Sequence, residues 1–145
     1  MNPIHYETPR VLVADDDAAI RQLVGTIIRR EGLEADCVAD GGAAIDKLEE
    51  RDYAVVLLDL MMPRVSGFDV IDYLRDRDAR QQKPLVLVIT AYADQTFKAV
   101  DPHTVAGVLR KPFEVAEIGE LIRMCVQGLE VLQGTSATFP QLAAN

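Results

Sequence analysis

Apolar runs in this chain end in polar chemistry. "VLVA" leads into Asp15 and Asp16, "VVLL" into Asp59, "VLVI" into Thr90 and "VLR" into Lys111. A carboxylate buried unpaired at the tip of an apolar strand is costly, so these acids need partners. Carboxylates held close repel and raise one another's proton affinity. A hard divalent cation relieves the conflict, and Mg²⁺ takes a few carboxylates while keeping waters. An ammonium and a hydroxyl facing that cation suit a group rich in anionic oxygens, and a phosphoryl group fits. A carboxylate can itself take the phosphoryl as an acyl phosphate, and Asp59, central in the order of runs, is the best-placed acceptor.

Each residue alone has a plainer explanation. An Asp after a strand is usually a turn former or a helix cap, and Asp17 reads as such a cap. A single Lys111 would be a surface lysine, and a single Thr90 a strand residue. Their joint placement is what argues for one shared site.

The elements that must position them alternate in type. Strands are expected at 10–15, 33–39, 53–59, 84–90 and 105–111. After the first, Ile20, Leu23, Val24, Ile27 and Ile28 form a helical stripe that ends at Gly32. A short helix carries Ala44, Ile45 and Leu48. Another is expected to turn Phe68, Ile71 and Leu74 inward. Three strands are continuous runs of Val, Leu and Ile, the pattern of strands covered on both faces, whereas 33–39 reads as an edge. An α/β fold follows: a single doubly wound five-stranded parallel sheet, flavodoxin-like, in order 2-1-3-4-5, with helices on both faces. Ligands of such sheets bind beyond the carboxyl ends of the strands, and all the polar residues above fall on that rim.

The totals fit this reading. The 145 residues suggest one domain, and the net charge of −8 argues against direct nucleic-acid binding. No apolar run is long enough to span a membrane. Cys37 and Cys125 lie in apolar segments and read as buried core thiols. With no metal-ligand spacing and no secretory signal, a reducing, cytoplasmic setting is expected. His5 and His103 lack ligand-spaced company and read as surface residues. In the last helix Val115, Ile118, Ile122, Cys125, Leu129 and Leu132 step at heptad spacing. The stripe reads as core, with a homodimer through its later part as the sharper alternative.

The motifs "VLVADDD", "VVLLDLMMPRVSG", "VLVITAY" and "VLRKPF", in this order, resemble those of the response-regulator receiver domain of two-component signalling. The resemblance implies a receiver over 9–130, with 1–8 as an N-terminal extension and 131–145 as the helix end and tail. It implies that Asp59 is phosphorylated by a histidine kinase or a His-containing phosphotransfer protein. Mg²⁺ would be held by Asp15, Asp16, Asp59 and the backbone carbonyl of Met61. Thr90, the Ala91 N–H and Lys111 would bind the phosphoryl group, and Lys111–Pro112 would be cis. Pro63 and Gly67 match the loop after the phosphoacceptor. Such a domain is a switch that assists only its own phosphorylation and dephosphorylation, not an enzyme, and it passes its signal to a downstream protein.

Two features depart from the family pattern. Val108 stands where an aromatic switch residue is usual. Pro102 implies that a helix following Thr90 ends by Asp101, with a loop through His103. Met61 and Tyr92 are bulky and poor bases near the site, so they are expected to lengthen the phosphoryl lifetime; Met61→Asn should then decay faster. The alternative function is a haloacid-dehalogenase-type phosphatase using Asp15, since "DDD" contains Asp-x-Asp; Ala19 and the missing later acidic pair weaken it. No further domain is expected after Gly134, so the chain reads as a stand-alone receiver or one cut from a longer protein.

Overall fold

Neighbouring residues of the inner strands are buried on opposite sides of a sheet, so a helical layer is needed on each face. In the computed structural model, residues 8–77, 83–91 and 104–132 are described. Their elements run β1 (Arg10–Ala14), α1 (Ala18–Arg30), β2 (Glu34–Val38), α2 (Gly41–Glu50), β3 (Val55–Asp59), α3 (Gly67–Arg75), β4 (Leu85–Thr90), β5 (Gly107–Arg110) and α4 (Val115–Leu132). All strand pairs are parallel, in one sheet ordered β2-β1-β3-β4-β5.

Leu12, Val56, Leu58, Val86 and Val88 face α2 and α3, where they meet Ala44, Leu48, Val70, Ile71 and Leu74. Val11, Val13, Val55, Leu57, Leu87 and Ile89 face α1 and α4, against Val24, Ile27, Ile28, Ile118 and Ile122. Each fully buried Leu, Ile or Val contributes roughly 1.5–3 kcal/mol by leaving water. This two-sided core fixes the level of every strand end. Ala14 pairs with Leu58, Asp59 with Ile89 and Thr90 with Arg110, so the residues that follow are delivered to one rim.

The helix ends follow local chemistry. Asp17 caps α1 by accepting from the Ala19 and Ile20 N–H groups. Gly32, at φ 80°, closes it: Gly32 N–H donates to Arg29 and Leu33 N–H to Ile28, the paired bonds of a Schellman turn. Ser66 and Asp69 form a reciprocal capping box at α3.

Three expectations change. Phe68 is 39% exposed, not inward. The capping box places it two residues, about 200° of helix, before Val70, and Val70, Ile71 and Leu74 make the buried stripe instead. Cys37 is exposed because β2 is an edge strand that α1 covers incompletely, whereas Cys125 is buried. Ile118, Ile122 and Cys125 of the heptad stripe are wholly buried against the sheet, but Val115 is half exposed. The side chains of Leu129 and Leu132 lie outside the described residues. So do His5, Tyr92, Pro102 and His103, the expected helix after Thr90 and the tail beyond Gly134.

Arg64 is a non-glycine residue at φ 66° in the loop after β3. That conformation costs an L-residue about 1–2 kcal/mol. Its guanidinium is mostly exposed and only 3.8 Å from Asp40, a weak pair. Arg64→Gly is therefore expected to raise unfolding stability by about 0.5–1 kcal/mol. A urea midpoint at or below that of the parent chain would contradict it.

Candidate functional site

Asp15 directly follows β1 and Asp59 ends β3, and the two strands lie side by side in the sheet. Both are buried, at 2% and 5% exposure, while Asp16 on the β1–α1 loop is exposed. One carboxylate oxygen from each of the three acids lies within 4.8 Å of the others. Asp15 Oδ1 accepts from the Asp17 N–H at 2.9 Å, and Arg21 donates to the Asp15 carbonyl at 2.8 Å, which fixes the loop. Asp59 Oδ1 accepts from the Met61 N–H at 3.1 Å.

Lys111 reaches in from the end of β5, placed there by its N–H bond to the Thr90 carbonyl at 2.9 Å. The Lys111–Pro112 peptide is cis. Its Nζ lies 2.9 Å from Asp15 Oδ2 and 3.4 Å from Asp59 Oδ2. The contact to Asp59 is a hydrogen bond. The one to Asp15 is a charge contact without hydrogen-bond alignment, so that buried oxygen keeps unfilled acceptor capacity. Thr90, 1% exposed, ends β4 beside them, and Ala91 follows at the surface. Met61 is 61% exposed on the rim. Val108 is half-buried against the α2–α3 side of the core.

The electrostatics follow from this crowding. Burial lifts the Asp59 carboxyl above the usual carboxylate range, the Asp15 charge adds to it, and the Met61 N–H and Lys111 offset part. Burial pulls the Lys111 ammonium down, but its contacts with Asp15 and Asp59 outweigh this and leave it raised. Three acids against one ammonium leave an excess of negative charge at a partly open rim. The all-oxygen donor set, with an accessible Asp16 and an under-used Asp15 oxygen, fits a hard divalent cation.

Two glycines let backbone approach backbone here. A Cβ on Gly67 would lie 2.4 Å from the Asp59 carbonyl, and one on Gly41 would lie 2.3 Å from the Val65 carbonyl. Gly67 belongs to the loop motif read from the sequence. Gly41 and Arg21 carry no motif in the sequence, and their places at the site come from contacts between separate elements.

Residues 11–123 match the model of the response regulator receiver domain. The chain belongs to this family. Its fold is that of the solved receivers: it superposes on the chemotaxis response regulator CheY4 of Vibrio cholerae with a TM-score of 0.73 at 25% identity, covering 82% of this chain and 99% of that one. The response regulator TrrA of Thermotoga maritima, solved in complex with Mg²⁺-BeF, gives a TM-score of 0.71 at 27% identity over 81% of this chain and 99% of that one. The sensory transduction protein RegX3 of Mycobacterium tuberculosis is 35% identical over 114 residues, 78% of this chain and 48% of that protein. The DNA-binding response regulator MtrA of Mycobacterium leprae is 33% identical over 115 residues, 79% of this chain and 49% of that protein. This receiver thus spans about half the length of these curated relatives. It is the phosphorylation-switch module of two-component response regulators. The phosphatase reading with Asp15 as nucleophile gains no support from these matches. Among the described residues, no helix is long and apolar enough to cross a membrane.

Proposed function

We propose that Asp59 is the phosphoacceptor, charged by a histidine kinase or a histidine-containing phosphotransfer protein. The supporting observation is the three-acid cluster with Lys111 at 3.4 Å from Asp59 Oδ2. Asp15, Asp16, Asp59 and the Met61 carbonyl would hold Mg²⁺. When bound, the cation neutralises the carboxylates and the incoming phosphoryl oxygens. An Asp59 carboxylate oxygen forms the new bond to phosphorus as the bond to the donor imidazole nitrogen breaks, its electron pair leaving with nitrogen. Lys111 pairs with one phosphoryl oxygen. The Thr90 hydroxyl and the Ala91 N–H donate to another.

In this reading the folding unit is 9–130, and it works in the cytoplasm beside the kinase that charges it. The domain acts on no substrate but its own acyl phosphate, and Met61, Tyr92 and Val108 tune the lifetime and output of that state. Its altered surface binds a downstream protein, with a homodimer through the end of α4 as one form of that output. Acetyl phosphate with Mg²⁺ is expected to add one phosphoryl mass that peptide mapping assigns to Asp59. Label on Asp15 or Asp16, or none, would overturn the assignment.

A further inference from the structure

The loop from Leu60 to Gly67 is stitched at both ends and in its middle. Met61 N–H donates to Asp59 Oδ1 at 3.1 Å and Gly67 N–H to the Leu60 carbonyl at 3.1 Å. The third stitch comes from a different element. Gly41 N–H, at the first position of α2, donates to the Val65 carbonyl at 3.1 Å. Asp40, the α2 cap, accepts from the Ala43 N–H at 2.8 Å and faces Arg64 of the same loop at 3.8 Å. Gly41 is buried, and no side chain fits there: a Cβ would stand 2.3 Å from Val65 O, 2.8 Å from Val65 C and 2.8 Å from Val65 Cγ1.

We infer that Gly41 is a positioning residue of the phosphoacceptor site, acting through the loop that orients Asp59. The inference rests on the function proposed for Asp59. Relieving a 2.3 Å carbon–oxygen contact to an ordinary separation moves the Val65 carbonyl by about 1 Å. The neighbour is backbone on both sides of the contact, so no side-chain rotation can absorb the shift. The displacement passes along the short loop to Met61, whose N–H donates to Asp59 and whose carbonyl would be a ligand in the proposed cation site. Outer-shell supports of metal ligands typically cost 10–100-fold in affinity when removed. Coupling of this kind is reciprocal, so filling the site should also tighten the Gly41–Val65 bond.

The test compares Gly41→Ala with Gly42→Ala, whose Cβ would meet only Asp40 Oδ1 at 3.3 Å and Val65 Cγ2 at 3.9 Å. Isothermal titration with Mg²⁺ is expected to show at least tenfold weaker binding for folded Gly41→Ala and parent-like binding for Gly42→Ala. A Gly41→Ala protein that binds less than tenfold more weakly, whatever its melting temperature, overturns the inference. Should Gly41→Ala not fold, amide exchange of the parent protein decides. Mg²⁺ with beryllofluoride is expected to slow exchange of the Gly41 N–H at least tenfold, and a smaller change refutes the role. A parent protein that binds no Mg²⁺ defeats the underlying function instead, so the two failures are distinguishable.

Discussion

Asp59→Asn is expected to abolish Mg²⁺-dependent phosphoryl uptake, at least 10³-fold below the parent rate, and to raise the stability of the metal-free protein. The first effect is chemical. An amide oxygen is a poor nucleophile, and the variant has no carboxylate at the end of β3. Asp15→Asn, by contrast, should still accept label, more slowly, because it removes one cation ligand and leaves the acceptor. A phosphatase using Asp15 would show the reverse order, so intact masses of the two variants after acetyl phosphate separate the mechanisms. The second effect is electrostatic. The Asp59 carboxyl is held above the usual range, chiefly by burial and then by the neighbouring Asp15 charge. It therefore binds its proton more tightly folded than unfolded. Its ionisation subtracts stability as pH rises through the unfolded pKa, and the full penalty is present above the folded one. Asn has no such penalty. The stabilisation should be seen near neutral pH in chelator and should shrink as pH falls below the unfolded carboxyl range. A variant less stable than the parent at neutral pH would contradict the sign.

Much of this was legible because the relevant physics is local or periodic. Continuous runs such as "VVLL" and "VLVI" are the pattern of inner parallel strands buried on both sides, and alternation with helical stripes along the chain favours that over a buried helix. Once five strands share a direction, their last residues share a rim, and Asp15, Asp59, Thr90 and Lys111 come together without any long-range pairing rule. What escaped depends on contacts between segments far apart in the chain. The Gly41–Val65 approach joins α2 to the β3–α3 loop, and nothing in "DGG" announces it. Cys37 looked like core because its neighbours are apolar, but coverage is set by which strand lies outermost. Phe68 misled because a helical stripe read without its start can be rotated, and the Ser66–Asp69 box sets that start. The ammonium's choice between two acids is likewise a matter of angstroms: Lys111 sits nearer Asp15 than Asp59.

That choice leads to the second large effect. Lys111→Met should bind Mg²⁺ more tightly than the parent chain, yet take up and keep phosphoryl groups about 10²–10³-fold less well, the usual loss for one oxyanion donor. In the metal-free protein Lys111 is the counter-ion of the acids, 2.9 Å from Asp15 and 3.4 Å from Asp59. A divalent cation entering the cluster must share those carboxylates with it. A divalent cation and an ammonium about 5 Å apart repel by roughly 7 kcal/mol at an effective dielectric near 20, an upper bound at a rim that water reaches. Relief of about a fifth of that tightens Mg²⁺ binding about tenfold. The same ammonium is what an incoming phosphate needs, because Asp59 alone offers only like charge. Met keeps the length of the side chain and its packing, so the two effects isolate the charge. Lys111→Met should also lose stability in chelator, since it leaves Asp15 and Asp59 facing each other, and recover part of it on adding Mg²⁺. Calorimetric titration and phosphoryl decay on the same preparation provide the check. Weaker Mg²⁺ binding, or an undiminished phosphoryl lifetime, would mean that Lys111 does not link the two halves of the site.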